Sequence, residues 1–475
     1  MGTDNDRKHF EDYRAQTQVK HEILAAYLNS TARVCYRFVS CSSGGLPMTE
    51  QEIVDLGPAF AAYLRRFRDG FGQNRTAGHF DTYCRGLLSD LPRKSIEPIA
   101  LAAGTAVRTL QEFLATARWD QNDARDTLQR HLGSVLADLP ADPLGAVGVI
   151  DETSCRKWGD HTPGVQRQYL GCVGKIDNGI VTVHVGVAKG TFQALLDADL
   201  FLPKSWSDDR PRCRAAGIPD AVRHRAKWRL AMDQLIRLNA NGVTFDWLTF
   251  DEGYGAAVPF LRCLNVVSQR FVAEVPVNFT IRDKAGGPAR RADARLTGAD
   301  ARGGTRHRVA HRTVRASFWR AATATVWVAD QEHTLVVAIN EGTEEVKYFL
   351  TNATTAPVAR VLAVAFRRWT VEHGFRLGKQ EAGLMDYEGR NYTGLLRHLT
   401  LALIVLGFVA THTERLRGEK PSGDSGAGVP GVESAMRGGV PPTPRRPRNE
   451  AHQRHHPLPP EAKHPGRQVP QETAA

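Results

Sequence analysis

The sequence predicts an α/β fold, a mixed β-sheet with helices on both faces, preceded by an α-helical region and interrupted by a β-rich insertion. Three observations lead to this prediction. Apolar residues recur at helical spacing up to about residue 140, as in LAAGTAVRTLQEFLATA. From about Leu144 the chain changes to short β-branched runs separated by turn residues. Strand and helix patterns then alternate, which is typical of a sheet covered by helices.

Residues 1–140 are predicted to form an α-helical domain. The helical stretches VKHEILAAYLNS, FAAYLRRFRDGF and LAAGTAVRTLQEFLATA are separated by polar residues or by Gly and Pro. Arg and Lys interrupt the apolar faces, as in YLRRFRDGF. This pattern fits a DNA-binding domain and equally fits a bundle with a solvated basic face, because charge alone does not separate the two.

Residues 141–280 are predicted to form the first part of the core. AVGVIDE, RQYLGCVGKI and GIVTVHVGVAKG have the composition of three strands, with IDNG as the turn between the last two. Next come the helix AVRHRAKWRLAMDQLIRLNA, the strand VTFDWLTFD, the helix AVPFLRCLN and the strand RFVAEVPVNF. The order β-β-β-α-β-α-β predicts a ribonuclease-H-like core.

The rest of the sequence divides into three segments. Residues 281–354 contain the β-prone runs ASFWRAATATVWVAD, HTLVVAIN and VKYFLTN and are predicted to be a β-rich insertion. Residues 355–417 complete the core, with one helix from Pro357 toward Lys379 and a second helix after it. The apolar run LTLALIVLGFVA in that second helix is too short to span a bilayer, so we expect a buried helix. Residues 418–475 are rich in Pro, Gly, Arg and His and are expected to be disordered.

The composition favours a partner that is a polyanion. The net charge is +11 and the pI is about 9.4. The seven cysteines are scattered without a C-x-x-C pair, which argues against a zinc site or a disulfide framework and favours a reducing cytosol. The polar N-terminus MGTDNDRKHFEDYRAQ lacks the pattern of a secretory signal. A cytoplasmic protein without a membrane partner is therefore expected.

Three acidic residues occupy distinctive local settings. Asp151 ends the apolar run GAVGVID, Asp251 ends FDWLTFD, and Glu372 lies in the basic helical stretch FRRWTVEHGFRLGKQE. Each Asp taken alone fits a turn or a helix cap. Together, at the ends of the first and fourth core strands with a helical Glu after them, they predict a hard-oxygen site for Mg²⁺.

The helix that carries Glu372 also carries a basic face. Arg368, Glu372, Arg376 and Lys379 follow one another at helical spacing, so they share one side of the helix. A metal ligand flanked by phosphate-binding cations has this pattern. An exposed, ion-paired helix has it too, and spacing alone leaves both interpretations open.

Four segments resemble the DDE transposases of bacterial insertion sequences, specifically the insertion-sequence 701 family, which is related to the insertion-sequence 4 group with its YREK signature. The resemblance extends over roughly residues 20–415. In chain order the segments are FDTYCRGLLSDLPRKSIEPIA, DETSCRKWGDHTPGVQRQYLGCVGKIDNG, LTFDEGYG and RRWTVEHGFRLGKQEAGLMDYEGRNYTGLLRHLTLAL.

The resemblance implies roles for individual residues. Asp151, Asp251 and Glu372 match the catalytic and metal-binding triad, and Arg368 and Lys379 match the Arg and Lys of the signature. Arg368, Arg376 and Lys379 are expected to bind DNA phosphates. The signature Tyr falls on Ala365, where this chain departs from the pattern and where Phe366 or Trp369 are candidates to replace its packing. Glu252 follows Asp251 directly, and we take Asp251 as the ligand because it ends the strand.

The implied activity is cleavage of transposon ends and strand transfer to target DNA. The cofactor would be two Mg²⁺ ions, with Mn²⁺ as an alternative. The partners would be double-stranded DNA, as terminal inverted repeats and target, with a dimer in the synaptic complex near the bacterial nucleoid. The alternatives are a domesticated or inactive DNA-binding protein with this fold, and a structure-selective nuclease. Trp319 and Trp327 of the insertion either stack on a flipped base or, as we expect, pack its core.

Overall fold

The structure, a computed structural model, describes residues 50–310 and 316–419, with side chains described for 55–309 and 316–416. The predicted helical stretch VKHEILAAYLNS and nearly all of the segment 418–475 lie outside the described residues.

A single mixed sheet contains all the strands of the described residues. In chain order they are β1 (Val147–Arg156), β2 (Gln166–Leu170), β3 (Lys175–Lys189), β4 (Phe192–Leu200), β5 (Trp247–Phe250), β6 (Phe271–Val275), β7 (Thr280–Arg282), β8 (Ala289–Arg291), β9 (Thr305–Ala310), β10 (Ala316–Val328), β11 (Gln331–Asn340) and β12 (Val346–Thr351). Across the sheet the order is β2-β3-β1-β5-β6-β12-β11-β10-β7-β8, with β4 on β3 and β9 on β10.

The strand directions make the sheet mixed, as the sequence predicts. β1 pairs antiparallel with β3 and parallel with β5, and β5 pairs parallel with β6. The β-rich segment after β6 continues the same sheet, because β12 pairs antiparallel with β6. The inserted strands therefore extend the core sheet at its β6 edge.

Helices precede the sheet, connect its strands and close the described chain. They are α1 (Glu50–Leu64), α2 (Asn74–Leu87), α3 (Ile96–Ala102), α4 (Val107–Ala115), α5 (Gln121–Asp138), α6 (Lys204–Ser207), α7 (Arg210–Ala215), α8 (Lys227–Ala240), α9 (Glu252–Gly255), α10 (Val258–Val266), α11 (Gly298–Gly303), α12 (Val358–Ala365), α13 (Trp369–Glu381) and α14 (Tyr392–Glu419). Two 3₁₀ segments, Arg65–Phe71 and Phe366–Arg368, follow α1 and α12.

The N-terminal helices pack against α14. The Tyr63 hydroxyl donates to the Ile404 carbonyl at 2.9 Å, and the Tyr83 hydroxyl meets His398 Nδ1 at 2.9 Å. Their apolar residues belong to the same buried cluster as those of β1, β3 and α14. That residues 1–140 form a separate DNA-binding domain stays a prediction.

Helix α14 is longer than its apolar run indicates. It has 28 residues, and within the described chain it alone is long and apolar enough to cross a membrane. The prediction that this segment is too short to span a bilayer was therefore wrong, since the run LTLALIVLGFVA is only the middle of the helix. The expected burial is confirmed, because 89% of its most apolar stretch lies inside the protein. The helix forms part of the hydrophobic core.

The turn predicted at IDNG is wrong. Residues 176–179 lie inside β3, and the hairpin turns instead at 171–174, where Gly174 has a φ of 66°. Gly179 serves a close approach: a Cβ there would stand 2.3 Å from the Cys155 carbonyl oxygen of β1. Asn178 donates to the Lys157 carbonyl at 2.8 Å. Gly179 thus serves a contact between strands, and Asn178 binds the residue that follows β1.

Two further details differ from the sequence prediction. β4, with the sequence FQALLDADL, was not predicted. The helix expected from Pro357 to Lys379 is divided into α12 and α13 by the 3₁₀ segment Phe366–Arg368. Arg368 therefore lies just before α13 rather than within the same regular helix as Glu372.

Candidate active site

Three acids lie side by side on neighbouring strands. Ile150 of β1 pairs with Phe250 of β5, and Phe250 pairs with Ala273 of β6. The next residue of each strand in turn is Asp151, Asp251 and Glu274. Because β1, β5 and β6 are parallel, these three residues form a row at the level where β5 ends, and we call them the acid row.

Asp151 is the most buried member of the acid row, with 7% of its surface exposed. Its Oδ1 accepts a bond from the Glu152 backbone N–H at 2.7 Å. Burial raises the pKa of Asp151 to about 7, and the neighbouring Asp251 and Glu372 add to the rise, although Arg368 opposes it. The ionised form of Asp151 is therefore disfavoured mainly by its burial.

Asp251 has a structural task besides any chemical one. It is the N-cap of α9, and its Oδ1 accepts from the backbone N–H groups of Gly253 at 3.0 Å and Tyr254 at 3.3 Å. These bonds hold the carboxylate at the end of β5. The neighbouring Glu252 is exposed and starts α9.

Arg368 joins the acid row to α13. Its Nη1 lies 3.4 Å from Asp151 Oδ2 and 3.1 Å from Glu372 Oε1. Its Nη2 lies 3.6 Å from Glu274 Oε2. Burial acts to lower the pKa of Arg368, but the surrounding carboxylates raise it overall. One guanidinium group thus draws together acids from β1, β6 and α13.

The structure accordingly brings the three predicted acids near one another. Glu372 lies on the first turn of α13, where its side chain is half-exposed and contacts Arg368. Asp151 and Asp251 are adjacent, since each follows a residue of the Ile150–Phe250 pair, and Asp251 raises the pKa of Asp151. Arg368 contacts Asp151 and Glu372 directly. Their catalytic roles stay predictions.

Lys379 and Arg376 have other partners farther along α13. Lys379 Nζ donates to the Ser154 carbonyl at 3.0 Å, three residues beyond Asp151 on β1, and burial lowers its pKa. Arg376 is exposed and contacts His373 Nδ1 at 2.8 Å. Both cations follow the acid row along one edge of α13, which is compatible with a path for a phosphate backbone.

Ala365, at the position of the signature Tyr, is buried in an apolar cluster under the inserted strands. Phe366 packs beside it, with its ring centroid 4.7 Å from that of Trp319 and 5.9 Å from that of Phe349. Trp319 is only 2% exposed, so its role is in packing, as expected. Trp327 is half-buried on β10.

Two site residues were missed by the sequence analysis. Glu274 was hidden in the strand RFVAEVPV, where an acid within an apolar run was the available signal. Tyr254 follows Asp251 in LTFDEGYG and is 2% exposed, and its hydroxyl has no hydrogen-bond partner among the described residues. Burial raises the pKa of Tyr254 well above its usual value, and Glu152, Asp151 and Asp251 raise it further. The hydroxyl therefore lies close to the acid row.

The donor chemistry of the site fits a hard divalent cation. Asp151, Asp251 and Glu372 offer carboxylate oxygens, and a bound cation would favour the ionised form of Asp151, which burial disfavours. Among the described residues, no three His, Cys, Asp or Glu side chains are already arranged around one ion position. Arg368, which contacts both Asp151 and Glu372, supplies the compensating positive charge instead.

A comparison with known proteins identifies the family of this chain. Residues 66–338, more than half of the chain, match the family described as DDE superfamily endonuclease. The matched segment includes Asp151, Asp251 and Glu274 and ends before Glu372.

A curated relative is the probable transposase for insertion sequence element IS701 of Microchaete diplosiphon, which is 31% identical over 220 residues. The alignment covers 46% of this chain and 53% of the relative, so the chain spans about half the length of the protein it matches. The two matches confirm the resemblance that the four sequence segments indicate. The chain belongs to the DDE superfamily endonucleases.

Proposed function

We propose that this protein is the DNA transposase of an insertion sequence, which cuts the ends of its element and joins them to target DNA. The observation that carries the proposal is the convergence of Asp151, Asp251 and Glu372 around Arg368. The family match and the similarity to a probable transposase support it. In the first step water attacks a phosphodiester and frees a DNA 3′-hydroxyl, which in the second step attacks a target phosphodiester and displaces its 3′-oxygen.

Asp151, Asp251 and Glu372 are the residues that would hold divalent metal, with Mg²⁺ as the proposed ion and Mn²⁺ as an alternative. Two such ions, when bound, supply activation of the attacking hydroxyl and stabilisation of the leaving oxygen. The protein itself contributes by fixing the positions of these carboxylates. Two backbone N–H groups hold Asp251 at the strand end, and the rigid β1–β5 pair sets Asp151 beside it.

DNA phosphates are the proposed ligands of Arg368, Arg376 and Lys379. Arg368 lies at the acid row, and the other two follow it along α13. The duplex ends would be recognised by the α-helical region before residue 140, and two chains would hold two ends in a dimeric synaptic complex. A bacterial cytoplasmic location at the nucleoid goes with this function.

We also propose that the core is ribonuclease-H-like. The strand order β4-β3-β1-β5-β6 supports this, with three antiparallel strands followed by two that run parallel to β1. In such a sheet the row of residues at the ends of parallel strands is the natural place for a ligand.

An end-cleavage assay with Mg²⁺ tests the proposed function. The substrate is a duplex that carries the terminal inverted repeat found beside the gene. Asp251→Ala should lower the cleavage rate by about 10³-fold or more while duplex binding persists, because it removes a reacting-site carboxylate. Glu252→Gln is the matched control, since it changes the exposed neighbouring acid and should keep activity. Equal cleavage products from wild type and Asp251→Ala would refute the assignment.

A further inference from the structure

We propose that Glu274 is a positioning residue: it holds one end of the Arg368 guanidinium so that the other end is presented to the phosphate that is cut. This inference rests on the proposed function and adds a role for a residue outside the predicted triad. It follows from the contacts of the two terminal nitrogens of Arg368, which face different acids.

The two ends of the guanidinium have different partners. Nη1 faces Asp151 and Glu372, the two acids proposed to hold metal, at 3.4 Å and 3.1 Å. Nη2 faces Glu274 at 3.6 Å. If Asp151 and Glu372 held a divalent cation, Nη1 would lose both of its partners. Without a further anchor, repulsion between two cations would drive Arg368 away from the site.

Glu274 is suited to be that anchor because it is itself held from the opposite side. Lys347 of β12 lies 2.6 Å from Glu274 Oε1, and both side chains are about one-fifth exposed. Phe349 is the direct cross-strand partner of Glu274, which places Lys347, two residues earlier, on the same face of the sheet. One oxygen of Glu274 thus faces Lys347 and the other faces Arg368.

The same arrangement argues against Glu274 as a metal ligand. Both of its oxygens already face a protein cation, and a divalent ion there would add a third positive group. Held by Glu274, Arg368 stays beside the acid row, and its Nη1 points to the space between Asp151 and Glu372. A phosphate oxygen held there would form a charge-assisted hydrogen bond.

The sign of the electrostatic effect makes this proposal testable. Removing a negative charge beside a DNA phosphate should by itself strengthen DNA binding. If Glu274 positions Arg368, then Glu274→Gln should instead weaken binding, by roughly 10-fold, as is typical when a supporting residue behind a site is lost. The weakening should depend on the charge of the phosphate that is cut.

The experiment compares two duplexes by fluorescence anisotropy with the full chain and Ca²⁺. One is the natural terminal-repeat duplex, and the other carries a neutral methylphosphonate at the cleaved linkage. We expect Glu274→Gln to bind the natural duplex roughly 10-fold more weakly than wild type and the methylphosphonate duplex equally well. Glu345→Gln is the matched control, because Glu345 also faces Lys347, at 3.3 Å, and is more exposed. This control should bind no more weakly than wild type.

Two outcomes would overturn the proposal while leaving the proposed function intact. One is binding of the natural duplex by Glu274→Gln that equals or exceeds that of wild type. The other is equal weakening on both duplexes. If Glu274→Gln does not fold, Glu274→Asp keeps the charge but shortens its reach to Arg368 and should show the same selective loss. A wild-type protein that does not prefer the terminal repeat to a scrambled duplex would instead refute the proposed function, and this inference with it.

Discussion

Asp151 should destabilise the metal-free protein at neutral and alkaline pH, and its replacement by Asn should relieve that cost. The pKa of this carboxyl rises from 3.8 to about 7 on folding, first because of burial. In the unfolded chain it ionises near its ordinary value, so the native state binds the proton more tightly. The contribution of this carboxyl to native stability is therefore fully present below about pH 4 and is lost as the pH rises toward 7.

The magnitude follows from the shift. A rise of about three pKa units corresponds to roughly 4 kcal/mol of stability lost above pH 7. Arg368 opposes the rise, and roughly 4 kcal/mol is the destabilisation that remains. Asp151→Asn resembles the protonated acid at every pH. It should raise the free energy of unfolding by up to about 4 kcal/mol at pH 8 and by almost nothing at pH 4.

Urea denaturation in EDTA, followed at pH 4 and pH 8, measures this difference. Asp251→Ala is the matched control from the same acid row and should change stability in the opposite direction. It removes the N-cap of α9 and should cost about 1 kcal/mol. An Asp151→Asn protein that is no more stable than wild type at pH 8, or a gain that is independent of pH, would refute the reasoning.

Two further predictions concern packing around the site. Tyr254→Phe should leave the free energy of unfolding unchanged or raise it by up to about 1 kcal/mol, because the buried hydroxyl has no partner among the described residues; a large loss in urea denaturation would contradict this. Gly179→Ala should destabilise the protein by about 1–3 kcal/mol, because its Cβ would stand 2.3 Å from the Cys155 carbonyl oxygen. Gly171→Ala, where a Cβ meets nothing within 4 Å, is the control, and equal melting temperatures for the two variants would exclude the steric explanation.

The sequence by itself determined the order of most strands and helices in the core. Apolar runs such as AVGVIDE and VTFDWLTF are typical of strands that are buried on both faces of a sheet. Such a run can be recognised from neighbouring residues alone. Asp151 and Asp251 were identifiable because each follows such a run. Glu372 with Arg368 was identifiable because a helix puts residues four apart on one face, and the 3.1 Å contact between them keeps that spacing.

Only the tertiary structure decided which side chains meet. Gly179 belongs to a turn-forming pair in sequence, yet the approach of β1 requires a residue without a Cβ there. Glu274 carries no strong local signal, and it joins the acid row because β6 pairs with β5 in one particular register. Register and close approach depend on contacts between residues far apart in the chain, which is why local patterns do not contain them. That register also places Glu274 where Arg368 can contact it together with Asp151 and Glu372.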